Sequence, residues 1–182
     1  MFLLQDFIIC AEGIKCEEEK EENMILAVIS DSHDRIDVLA EIVEELNEAD
    51  MVLHAGDLIS PFVLRTLEKV RTEIHAVYGN NDGDKRTLYE WGLKYGVRFH
   101  GDFLVMDELG LFMSHNTEAY REALIKSGRF RIIIGGHTHR AEIRKEGETL
   151  FVNPGELCGY LTEKRTYAIV DVEEREAKII EL

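Results

Sequence analysis

The run MILAVIS, Met24 to Ser30, is apolar and rich in β-branched residues, which predicts a buried strand. Behind it Ile36, Leu39, Ala40, Val43 and Leu46 recur at helical spacing, with Asp34 placed to cap the helix. The rhythm then repeats: DMVLHAGD reads as a strand, PFVLRTLEKV as a helix, and EIHAVYGNND as a third strand ending in a turn. A βαβαβ opening predicts parallel strands covered by helices. TLYEWGLKYG continues as a helix despite Gly92 and stops at Gly96.

After Val97 the pattern shifts towards strands and hairpins. FLVMDELGLFMSH predicts two strands joined across Glu108 to Gly110, TEAYREALIKSG a helix bounded by Thr117 and Gly128, and RIIIGG another buried strand. AEIRKEGETLFVNPG and RTYAIVDVEEREAKIIEL read as antiparallel pairs with charged turns. Two sheets packed face to face, with helices outside, accommodate both halves.

This pattern fills residues 24–182 of a 182-residue chain, enough for one substantial core. Residues 1–23 differ: an apolar start is interrupted by Asp6 and followed by the acidic run from Glu17 to Glu22, so they read as an extension outside the core. They lack the basic leader of a signal peptide, and no run is long enough to span a membrane. The formal net charge is −15, of which the extension carries a share that leaves the body at about −10. That field argues against long nucleic acid or an anionic bilayer, while a small anion at a locally positive site stays admissible. Cys10, Cys16 and Cys158 are odd in number and lack zinc-type spacing, which points to a reducing cytoplasm. Homo-oligomerisation is left open.

The candidate chemistry lies at the strand exits. Asp31 and His33 follow the first strand, Asp57 the second and Asn80 the third; His115 follows the hairpin, and His137 and His139 follow RIIIGG. Alone, Asp31 reads as a helix cap, His115 as a core histidine and Asn80 as a turn residue. Together, two carboxylates, four imidazoles and an amide oxygen form a ligand set for two divalent ions such as manganese, iron, nickel or zinc. Asp31 and His33 are two apart and share one side of an extended segment, and Asp57 has the two oxygens needed to bridge neighbouring ions. Gly79 frees the backbone before Asn80, and Gly135 and Gly136 do the same before the histidines.

The blocks DSHD, AGD, GNND, MSHN and GGHTH, in that order, resemble the calcineurin-like metallophosphoesterase superfamily. NPGELCGY is similar to the small prokaryotic phosphodiesterases allied to the retromer-subunit branch. The resemblance implies a four-layer α/β/β/α sandwich over residues 24–182. It assigns Asp31, His33, Asp57 and His139 to one ion, and Asp57, Asn80, His115 and His137 to the other. It further implies hydrolysis of a small or aryl phosphodiester by a hydroxide held between the ions, with Asp57, Asn80 and His115 orienting water and phosphate. The alternatives are a phosphomonoesterase, a nuclease, or a non-catalytic interaction scaffold of the retromer-subunit type.

Two positions depart from the family pattern. Asn81 stands where many members carry a histidine that protonates the leaving group, and an amide is no general acid. Asn116 replaces the glycine that usually follows the histidine of MSHN; asparagine tolerates a left-handed turn there. His54 and Asp82 read equally as supports for ligands or as fillers of strand and turn. Arg35, Arg140 and Arg144 read as solvated side chains, His75 and His100 as structural or exposed, and Cys158 as a small buried residue without a nucleophilic role.

Overall fold

The computed structural model describes residues 23–182. The expected acidic extension, Asn23 apart, lies outside them. Strand β1 (Ile25–Ile29) leads through α1 (Ile36–Glu41) and α2 (Val43–Leu46) to β2 (Met51–His54), then α3 (Phe62–Leu67), β3 (Glu73–Ala76), α4 (Lys85–Tyr95) and β4 (Val97–Phe99). The second half runs β5 (Phe103–Met106), β6 (Leu111–Ser114), α5 (Arg121–Lys126), β7 (Ile132–Ile134), β8 (Ala141–Glu146), β9 (Thr149–Pro154), β10 (Thr166–Asp171) and β11 (Glu176–Glu181).

The strands form two mixed sheets, ordered β11-β10-β1-β2-β3-β4 and β5-β6-β7-β9-β8. As the sequence pattern predicts, β1, β2 and β3 are parallel, while β5/β6, β8/β9 and β10/β11 pair antiparallel; the short β4, parallel to β3, is a strand the pattern did not mark. The alternation of side chains along a strand explains the layers. Leu26 and Val28 of β1 face the second sheet, meeting Met113, Ile132, Ile134 and Val152. Ala27 and Ile29 face outward beneath Val38, Leu39, Leu64 and Leu88 of the helices. Ile133 points the other way from its neighbours, joining Phe112, Phe130 and Phe151 with Leu124 of α5 packed against them. The isoleucine run therefore serves both faces of a central strand. The result is the four-layer α/β/β/α sandwich, and each fully buried large apolar side chain contributes about 1.5–3 kcal/mol.

Three local expectations need correction. The first predicted helix is broken at Ile42 (φ −106°, ψ 7°) into α1 and α2. Its buried face is Val38, Leu39, Ile42, Val43 and Leu46, whereas Ile36 and Ala40 are exposed. Asp34 does not cap the helix; its Oδ1 instead accepts from the Ser60 amide and hydroxyl. The third correction concerns α5, which begins at Arg121 after a turn in which the Thr117 carbonyl accepts from the Tyr120 and Arg121 amides. Helix α4 ends as expected at left-handed Gly96 (φ 79°), and Gly92 has a packing reason: a Cβ there would lie 2.7 Å from the Val97 carbonyl oxygen.

Candidate metal centre

All seven sequence-predicted positions meet at one end of the sandwich, where β1, β2, β3, β6 and β7 give up their ladders. Five of them, Asp31 (φ 51°), His33 (φ 41°), Asp57 (φ 58°), His137 (φ 69°) and His139 (φ 61°), adopt left-handed backbone. Each such residue costs about 1–3 kcal/mol, so this clustering marks a place where the fold sustains strain for geometry. The glycines play a different part from the one expected. Gly79, Gly135 and Gly136 do not take the left-handed turns; they leave room. A Cβ at Gly79 would collide with the Asp57 carboxylate, and one at Gly136 with the Ser30 hydroxyl. Asn116 also avoids the left-handed region, so replacing glycine there sets no backbone penalty.

The loops are laced together beneath the site. The amides of Asp31, His33 and Asp34 donate to the carbonyls of Gly56 (3.0 Å), Asp57 (3.1 Å) and Leu58 (3.2 Å). Asp82, buried, accepts from the amides of Asp57 (3.0 Å), Ile59 (2.8 Å) and Gly79 (2.7 Å). His54 is fully buried between the Ser32 hydroxyl and the Gly56 amide, which donates to Nδ1 at 3.2 Å. Both residues therefore support the ligand loops. Burial pushes the His54 imidazole down to about 4, so it is neutral.

Two groups of donors face each other across Asp57. On one side, Asp31 Oδ1 lies 3.3 Å from His139 Nε2 and 3.7 Å from His33 Nε2. On the other, Asn80 Oδ1 lies 3.0 Å from His115 Nε2 and 2.8 Å from His137 Nδ1. Asp57 Oδ2 is 3.4 Å from both His33 Nε2 and His115 Nε2. One ligand atom from each of Asp31, His33, Asp57 and His139 falls in a group lying within 4.8 Å of one another.

The proton accounting shows why this arrangement fits a cation. His115 Nδ1 lies 2.8 Å from the Ala55 carbonyl and His139 Nδ1 lies 2.7 Å from Glu156 Oε2, partners that can only accept. A neutral ring so tied turns its Nε2 lone pair towards the acidic centre. There it meets carboxylate and amide oxygens, acceptors facing acceptors. Asp31 Oδ1 and His33 Nε2 are buried atoms without a hydrogen-bond partner. The carboxylates pull the imidazoles towards the charged form: Asp31 raises His33 above its ordinary value, and burial, which lowers His115, is outweighed by Asp57 and its neighbours. Asp57 is held well below the usual carboxylate range by His115 and by Asn81, which overcome its burial. A positive charge is demanded at the centre, and these residues fit divalent ions.

Asn81 does not reach outward as a general acid would. Its backbone amide and its side-chain Nδ2 each donate to the Asp57 carboxylate at 2.8 Å. Glu156 is the functional residue that sequence reasoning missed. It is completely buried and accepts from His139, the Cys158 thiol (3.1 Å), the amides of Tyr160 (3.0 Å), Leu161 (2.9 Å) and Thr162 (2.5 Å), and the Thr162 hydroxyl (2.7 Å). Despite burial these donors bring its carboxyl down to about 2. An acid directly after a buried strand and its turn, NPGE, was the available signal. Burial and Glu156 push the Cys158 thiol up to about 12, in keeping with an inert buried cysteine. Arg35 is not freely solvated: its guanidinium is bound to both Asp37 oxygens (2.9 Å each) and the Cys158 carbonyl (2.8 Å). Arg144 pairs with Glu146 on the surface, and buried His75 hydrogen-bonds His100 at 2.7 Å.

The calcineurin-like phosphoesterase superfamily domain matches residues 24–175. The chain belongs to that superfamily. A phosphodiesterase of Methanocaldococcus jannaschii is 36% identical over 165 residues, covering 87% of this chain and 99% of that protein. A solved structure of an archaeal phosphodiesterase superposes with a TM-score of 0.81 at 36% identity, covering 87% of this chain and all (100%) of the other. Vps29 of Chaetomium thermophilum superposes with a TM-score of 0.65 at 15% identity, covering 87% and 96% of the two chains, which shows a shared fold. The superfamily assignment carries with it the use of divalent metal ions. No helix among the described residues is long and apolar enough to cross a membrane.

Proposed function

We propose that the chain hydrolyses a small phosphodiester at this centre with two divalent transition ions. The observation that carries the reading is Asp57 Oδ2, placed 3.4 Å from one imidazole of each ligand group. Asp31, His33 and His139 would hold one ion with Asp57, and Asn80, His115 and His137 the other with Asp57. When bound, such ions supply Lewis-acid polarisation of a phosphoryl oxygen and lower the pKa of water. The residues themselves fix the donors. Ala55 and Glu156 orient His115 and His139, and Asn81 holds Asp57 in place. Asn80 and His137 are exposed, so the second ligand group is the face open to a phosphate. Two carboxylates facing two dications would leave the centre about +2, attracting an anion in spite of the acidic surface. The buried free thiol of Cys158 supports a working place in a reducing compartment.

The deciding experiment loads the protein separately with manganese, nickel, iron and zinc, and measures metal content beside turnover of diesters, monoesters and nucleic acids. Diester hydrolysis that a chelator removes and metal restores is expected. Metal binding without hydrolysis of any ester would sink the reading. It would favour an interaction scaffold, for which the exposed Phe62 (57% accessible), Tyr89 (49%) and Leu93 (69%) offer an apolar surface.

A further inference from the structure

Beside the ligand groups, the loop after Glu156 presents two large apolar side chains to water: Tyr160 is 59% exposed and Leu161 72%. Loops are ordinarily mobile, and exposed apolar residues on them are left unordered. This one is fixed. Three consecutive amides, those of Tyr160, Leu161 and Thr162, donate to the single buried carboxylate of Glu156. The same carboxylate accepts from His139, so the loop and a ligand are held in register by one group. The Tyr160 ring lies with its centroid 6.4 Å from that of His33, tilted by 58°. Arg35 sits over the ring at 5.6 Å, and Asp37 and the Cys158 carbonyl hold its guanidinium there.

We infer that Tyr160, flanked by Leu161, is the seat of a planar aromatic group esterified to the phosphate. The inference rests on the phosphodiesterase reading and names the substrate class for that site. His33 Nε2 and His115 Nε2 lie the same 3.4 Å from Asp57 Oδ2, so a phosphate entering from the open group would lie beside His33 and could direct its ester substituent towards the Tyr160 ring. The backbone beneath the seat is already tied to Glu156, so little main-chain freedom is lost on binding. An aromatic occupant stacks on tyrosine irrespective of its hydrogen-bonding pattern, which suits a nucleobase or a simple aryl ring. A quaternary ammonium head group is disfavoured, because Arg35 already places a cation on the ring.

The test uses ligands without a cleavable ester. Phenylphosphonate, a nucleoside phosphonate and methylphosphonate are titrated calorimetrically into the metal-loaded protein, with Tyr160→Ala and Tyr160→Phe alongside. Wild type is expected to bind the phenyl ligand about tenfold more tightly than the methyl one, the scale of one stacking contact. Tyr160→Ala should erase that preference and Tyr160→Phe keep it. A nucleoside ligand exceeding phenyl identifies a nucleobase as occupant; the reverse identifies a simple aryl group. Equal binding of phenyl and methyl ligands in wild type, or equal weakening of both by Tyr160→Ala, overturns the seat. Turnover separates the two readings: a chain that prefers the phenyl ligand but cleaves no diester loses the enzymatic reading and keeps the seat. A chain that cleaves diesters without any phenyl preference loses the seat alone.

Discussion

The two ligand groups on either side of Asp57 are built differently. Asp31 is inaccessible to solvent, and His139, which is nearly so, is locked by the buried Glu156. Asp31 Oδ1 and His33 Nε2 in that group have no hydrogen-bond partner of their own. Opposite them, Asn80 and His137 are exposed and already bonded to one another, and only His115 is buried. Unpaired buried acceptors gain most from a cation, since nothing else relieves them. Exposed, paired ligands must first give up their own bond and can exchange with water. The enclosed group should therefore hold its ion more tightly, and the open group should lose its ion first and meet the substrate.

The largest expected effect comes from the residue common to both groups. Asp57→Ala should weaken both ions and lower kcat/KM by more than about a hundredfold, since altering even an outer support of a metal ligand typically costs 10–100-fold. Metal content after gel filtration, read with turnover, checks this. Retention of two ions with full activity would mean that Asp57 is not the link.

Glu156→Gln tests the asymmetry itself. It should weaken the ion of the enclosed group by about 10–100-fold, because His139 loses the charged partner that fixes its ring. The more open site should be little changed. Competition against a chromogenic chelator resolves the two affinities. Equal weakening of both would show that Glu156 acts only through general stability, and the difference between the groups would then lose its basis.

Sequence patterns mark some of these residues and hide others. The order of elements and the seven strand-exit positions were legible because period-two and helical spacing locate strand ends, and polar residues there stand out against apolar runs. Glu156 was not legible. Three of its six donors are backbone amides of a loop whose path depends on tertiary packing, and amides leave no mark in composition. The part each glycine plays was not legible either. A glycine that makes room for the Asp57 carboxylate looks the same in sequence as one that takes a left-handed turn, while the left-handed turns fell to Asp31, Asp57 and three histidines. The break at Ile42 was hidden too, since both short helices keep the same apolar spacing.

His54 lies under both groups, and its neutrality gives a pH prediction. Its folded value of about 4 lies below the ordinary 6.5. Above 6.5 the ring is neutral whether the chain is folded or unfolded. As pH falls from about 6.5 towards 4, the unfolded chain binds a proton that the folded one refuses, so stability is lost over that window. The loss from this group between pH 7 and pH 5 is about 2 kcal/mol. Urea denaturation of metal-free protein at both pH values should show the loss, and His54→Gln should flatten that part of the profile. An unchanged slope in the variant would show that other groups govern acid sensitivity.

The smallest expected effect concerns the open face and the departing oxygen. Asn81 spends its amide donors on Asp57, so the rate in wild type should depend steeply on leaving-group pKa, with nitrophenyl diesters far ahead of alkyl diesters. Asn81→His keeps the backbone bond to Asp57 but loses the side-chain one, and it adds an imidazole able to give a proton. An evolved general acid contributes about 10²–10⁴-fold; a newly placed one that also loosens Asp57 should recover about tenfold on poor leaving groups and little on good ones. The comparison is kcat/KM against leaving-group pKa in both proteins. A shallow slope in wild type would mean that a donor already stands on the open side, and His137, exposed and next to Asn80, is the first residue to substitute.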